Sequence, residues 1–87
     1  MISLTAQISV YPLRQTRLSP AIDETVRLCQ SHGLTVRPGP MSTLVAGDDD
    51  ELFTALKAAL RNAAAQGDVV MVVTLSNACQ HQPAGDT

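Results

Sequence analysis

From Ile2 to Tyr11 the chain alternates apolar and polar residues without a break. Ile2, Leu4, Ala6, Ile8 and Val10 fall on one phase, and Ser3, Thr5, Gln7, Ser9 and Tyr11 on the other. Successive side chains of a strand point to opposite faces, so this stretch predicts a half-buried strand with an oily and a polar side. The polar side is made of hydroxyls and an amide, with no charge. A face turned to bulk water usually carries Lys, Glu or Arg, so an uncharged ladder suits a ligand or a neighbouring subunit as well as solvent.

Ser19-Pro20 has the residue types of a helix N-cap and first helical position. The helix predicted to follow runs to about His32, with Ile22, Val26 and Cys29 as its buried stripe, Leu28 beside them, and Asp23, Glu24 and Arg27 outward. Gly33 closes it, because glycine accepts the left-handed conformation that ends many helices. Leu34 to Arg37 reads as a short strand, Pro38-Gly39-Pro40 as a turn, and Thr43 to Ala46 as the returning strand. In that hairpin Leu44 and Ala46 are expected on the oily side, with Thr43 and Val45 on the other. Asp48 or Asp49 is a plausible N-cap, and Glu51 stands at capping-box spacing from Asp48. Leu52, Phe53, Leu56, Ala59, Leu60 and Ala63 then trace a second amphipathic helix. Val69 to Ser76 breaks the alternation, with Val69, Met71, Val73 and Leu75 on one side and Val70 and Val72 on the other. A strand oily on both faces is expected to be buried on both.

The order βαββαβ is the ferredoxin-like α+β arrangement, a four-stranded antiparallel sheet with two helices on one face. One domain is expected over residues 1–76, with 77–87 a flexible tail. The fold leaves the other sheet face bare, and on this reading that face carries Val45, Val70 and Val72 among the polar residues of the first strand. A bare apolar patch beside a doubly oily edge strand invites a partner, so self-association is expected.

Composition narrows the functional classes. The formal charge is −2, with a pI near 5.4, whereas a nucleic-acid binder normally presents a basic face. Tyr11 and Phe53 are the aromatic residues, too few for a base-stacking surface. No apolar run approaches the ~20 residues that span a bilayer, and the first fifteen residues do not read as a signal peptide. Cys29 and Cys79 form no spaced pair, so no disulfide framework is indicated. A cytoplasmic domain without nucleic-acid or membrane partners is expected.

The chemistry-bearing residues favour binding over catalysis. Asp48-Asp49-Asp50-Glu51 lacks the ligand spread and internal glycine of a calcium loop, and four acids opening a helix are explained by capping and the helix dipole. Cys79 and His81, with distant His32, do not make the paired spacing of a structural zinc site. Cys29 reads as a small buried hydrophobe, and His32 as a favourable charge at a helix C-terminus when protonated. No nucleophile, base and acid fall together on ordered segments, so neither a catalytic residue, a metal nor a cofactor is assigned. Gln7, Ser9, Ser42, Thr43 and Thr74 offer amide and hydroxyl hydrogen bonds near Tyr11 and Met41. Such a set can read the edge of a flat heterocycle while an apolar side chain covers its ring.

AQISVYPL at residues 6–13, Ser19-Pro20, SHGL at 31–34 and PMSTLVAGDDDEL at 40–52 resemble the small thiamine-binding protein family in order and spacing, over roughly residues 2–75. The resemblance implies a ferredoxin-like fold, dimers or tetramers, and non-catalytic binding of thiamine or its hydroxymethylpyrimidine moiety. It also implies a ligand beside the polar face of the first strand and the start of the third. Here those positions are Gln7, Ser9, Tyr11, Met41, Ser42 and Thr43, with Thr74 at the rim. Ser42 stands where members often have Gly, and Ala46 where an acid commonly precedes the Gly, which removes one possible partner for a cationic ring. The ending SNACQHQ also lacks the charged residues of many relatives. A structural or regulatory homo-oligomer with no small-molecule ligand is the alternative.

Overall fold

Two helices lie against one face of a four-stranded antiparallel sheet. The computed structural model describes residues 2–14, 19–40 and 42–78. The elements are β1 (Ser3–Pro12), α1 (Ser19–Ser31), β2 (Thr35–Pro38), β3 (Thr43–Asp48), α2 (Asp49–Ala64) and β4 (Val69–Ser76). The sheet order is β2-β3-β1-β4, which makes β1 and β3 central and β2 and β4 the edges. This is the ferredoxin-like arrangement that the pattern predicts. Met41, Cys79 and His81 lie outside the described residues, as does most of the expected tail.

The alternation in β1 sets the core. Leu4, Ala6 and Ile8 are buried, Val10 is half-buried, and Gln7 and Tyr11 on the other phase are exposed. Cys29, Leu34, Val45, Leu52 and Ala55 complete the packed cluster. In α2 the row Leu52, Ala55, Ala59 and Ala63 is buried, and its small side chains let the helix approach its neighbours closely. Asp48 caps this helix, its Oδ2 accepting from the Glu51 N–H at 3.4 Å. Gly33 has φ +77°, the left-handed conformation expected at the end of α1.

The structure shifts several expected faces. Ala6 pairs with Val45 and Ile8 with Thr43. Directly opposed residues share a face, so Val45 and Thr43 take the helix-covered side, while Leu44, opposite Gln7, takes the open one. Leu44-Val45-Ala46 is a continuous apolar run whose phase does not reveal itself, and pairing with β1 settles it. In α1 the buried row is Ala21, Thr25 and Cys29, and Ile22 stays 39% exposed. Thr25 can face inward because its hydroxyl donates to the Ala21 carbonyl at 2.9 Å. In α2, Phe53 and Leu60 are exposed and Ala55 is buried in their stead. β4 is not buried on both faces either. Met71 and Val73 pack against the core, but Val70 and Val72 are 44% and 50% exposed on the open face.

Candidate ligand-binding site

The pairing of β1 with its two neighbours is unequal. On the β4 side it continues to Pro12, opposite Val69, whereas on the β3 side it stops where Ile8 meets Thr43. There the Gly39 N–H donates to the Ser42 carbonyl at 2.8 Å, tying the end of β2 to the start of β3. Ser9, Val10 and Tyr11 therefore have no strand beside them on that side among the described residues. The result is a notch at one end of the sheet, a cavity of about 90 Å³ lined by Ile8, Ser9, Val10, Tyr11, Ile22, Thr25, Gly39, Pro40, Ser42 and Thr43.

The lining joins both sides of the sheet. Ile8, Val10, Thr43, Thr25 and Ile22 come from the helix-covered side and make an apolar floor with two hydroxyls. Ser9, Tyr11 and Ser42 come from the open side and form the mouth. None of the ten residues is charged. Backbone N–H and C=O groups of Ser9–Tyr11 that point away from β4 add donors and acceptors, because a strand edge without a neighbour is a template for hydrogen bonding. A flat, neutral ring with polar atoms on its rim matches such a surface. The volume is small against the ~300–1,000 Å³ of typical ligand pockets, with room for about one ring.

Of the residues singled out in the sequence, Ser9, Tyr11, Ser42 and Thr43 line this cavity. Gln7 does not, but its Nε2 donates to Ser42 Oγ at 3.2 Å and so holds one side of the mouth. Thr74 pairs directly with Gln7 on the open face, one strand away from the notch. Thr43 belongs to the opposite face from Gln7, Ser9 and Thr74, contrary to the expectation that these share one side; it reaches the cavity from beneath. Met41 lies outside the described residues. Sequence reasoning missed Ile22 and Thr25 as lining; it placed the start of β3 at Thr43, but not the register that sets that start opposite Ile8 and leaves Ser9 to Tyr11 beyond it.

Other groups have structural work. Asp49 Oδ1 accepts from the Ile2 N–H at 3.2 Å, and the Asp49 N–H donates back to the Ile2 carbonyl at 2.9 Å. That backbone hydrogen bond holds the Asp49 carboxyl below its usual range. Asp48, Asp49 and Asp50 lie close enough together to hold a cation, but the first two already accept backbone N–H groups. Burial pushes the Cys29 thiol up, which keeps it a neutral packing group. A second, broader hollow of about 410 Å³ runs along Phe53, Leu56, Lys57, Leu60, Met71 and Val73. Its side chains are apolar apart from one ammonium, so it has little with which to orient a small ring.

Comparison with known proteins points in the same direction. A family model described as thiamine-binding protein matches residues 6–79. A solved protein from Streptococcus pneumoniae is 27% identical, with a TM-score of 0.77 over 86% of each chain. One from Thermotoga maritima, provisionally assigned to thiamine biosynthesis/salvage, is 25% identical with a TM-score of 0.73, over 84% of this chain and 81% of that one. A hypothetical protein from Methanocaldococcus jannascii shares the fold at 23% identity and a TM-score of 0.79, over 99% of this chain and 87% of that one. A search of the curated proteins found no match. No helix among the described residues is long and apolar enough to cross a membrane.

Proposed function

The chain belongs to the thiamine-binding protein family, and on that premise we propose that it binds thiamine or its hydroxymethylpyrimidine precursor without catalysis, as a homo-oligomer. The uncharged notch carries this reading. A hydroxymethylpyrimidine ring has polar atoms around a flat apolar body, and the lining offers it hydroxyls, free strand edge and aliphatic floor. Ser9 and Thr43 make side-chain hydrogen bonds, Tyr11 covers the ring, and Gln7 orients Ser42. Thiamine enters pyrimidine first, because no carboxylate is among the described residues that line the cavity to meet its cationic thiazolium.

Self-association is supported by the open face. Leu44, Val70, Val72 and Tyr11 are each between 43% and 52% exposed there, a grouping that a monomer would not normally leave to water. If such a face served assembly alone, the protein would be a structural oligomer with an unused notch. Isothermal titration with thiamine and with hydroxymethylpyrimidine separates the two. Saturable heat with either, abolished by Thr43→Val and by Ser9→Ala together, is expected; no heat and no thermal shift at millimolar ligand would leave assembly as the role.

A further inference from the structure

The mouth of the notch and the apolar patch are the same piece of sheet. Tyr11 pairs directly with Val70, and Ser9 with Val72. Opposed side chains in an antiparallel pair lie about 4.5–5.5 Å apart, so a body that covers the two valines also covers Tyr11 and Ser9. Gln7 extends the connection, since it faces exposed Leu44 across the ladder and holds Ser42 at the opposite lip. The cavity alone takes one ring and leaves its outer edge wet.

We propose that a second copy of this chain, docked on the open sheet face, closes the mouth of the notch, so that ligand uptake and self-association are one linked equilibrium. This rests on the ligand-binding reading above and adds the requirement for the second copy. The face suits its own likeness. On β1 and β4 it presents Ser3, Thr5, Gln7, Ser9 and Tyr11 beside Val70, Val72, Thr74 and Ser76, none of them charged, and the charges that β2 and β3 add to the face, Arg37 and Asp48, are of opposite sign. Four strands about 4.8 Å apart, averaging roughly seven residues of about 3.3 Å, give roughly 450 Å² of flat area per copy. Two copies hide roughly 900 Å² before side-chain relief is counted, just below the ~1,000 Å² minimum for a biological interface, and side-chain relief adds to it.

Val72→Lys tests this, because Val72 lies on the face but not in the cavity lining. Affinity for hydroxymethylpyrimidine and for thiamine is measured by titration in wild type and variant, with sedimentation velocity giving the assembly state. The variant is expected to be monomeric and to bind at least tenfold more weakly. In wild type, each bound ligand tightens self-association by the factor through which self-association tightens its binding. Should the variant misfold, wild type diluted below its association midpoint gives the same reading, with the same expected loss. Monomers that bind as tightly as the assembly overturn the linkage and leave the binding function standing, as does a wild type that is monomeric while it binds. A variant that still assembles overturns the choice of docking face. Wild type that takes up neither compound in any state overturns the binding function and this proposal together.

Discussion

The two sides of β1 share one backbone and differ in everything they touch. Leu4, Ala6 and Ile8 meet helices and close-packed neighbours, and what matters on their side is volume. Thr5, Gln7 and Ser9 meet other strand residues and open space, and what matters there is the pattern of donors and acceptors. The same division runs through β4, where Met71 and Val73 join the core while Val70 and Val72 stay outside it. One side holds the domain together; the other is the side we propose for recognition. Damage to the first should therefore appear as lost stability, and damage to the second as lost binding or assembly with the fold intact.

Leu52→Ala should do the most damage on the packed side. Leu52 is fully buried under the sheet, and removing such a side chain costs about 2–5 kcal/mol through lost transfer energy and a residual cavity. Denaturant unfolding is expected to show that loss, a large share of what a domain this short possesses. The adjacent pair Val45 and Leu44 lies on opposite faces of β3. Val45→Ala should cost about 1–3 kcal/mol, in line with the burial of its side chain. Leu44→Ala, on the open side, should cost less than about 0.5 kcal/mol in monomer stability while weakening self-association in sedimentation. Equal losses at the two positions would contradict the assignment of faces.

Smaller effects are expected at the far end of the sheet. Asp48→Ala removes the cap of α2 and should cost about 1 kcal/mol in denaturant unfolding. Asp49 has its carboxyl held low by the Ile2 N–H, so its contribution is present above the ordinary carboxylate range near pH ~4 and is lost as pH falls through the lowered folded value. Asp49→Asn should therefore flatten part of the acid limb of a stability–pH profile and leave the neutral region nearly unchanged. Ligand affinity should not respond to either change, because the notch lies at the other end of β1.

The fold was legible because its signals were local and agreed with one another. Ten alternating residues, a glycine-stopped helix, a proline-glycine turn and an acid-capped second helix leave few topologies open. What escaped was phase, in places where a run was apolar throughout or where a polar residue turned inward. Leu44-Val45-Ala46 reads equally well in either register, and the pairing of Val45 with Ala6 decides it. Thr25 gave no sign of burial because its hydroxyl is satisfied by its own helix. Ser9, Tyr11 and Ser42 were readable as candidates from their chemistry and from family resemblance. The notch that gathers them depends on the register that sets the start of β3 opposite Ile8, which is a property of pairing between distant segments.

The notch is the place where we propose that a neutral ring is held. Backbone amide shifts followed by NMR during titration with hydroxymethylpyrimidine test it most directly. The largest changes should fall on Ser9, Val10, Tyr11, Ser42 and Thr43, with Phe53, Leu60 and the outer side of α2 unmoved. Saturable changes centred on that outer surface, with Ser9 and Thr43 unaffected, would contradict it.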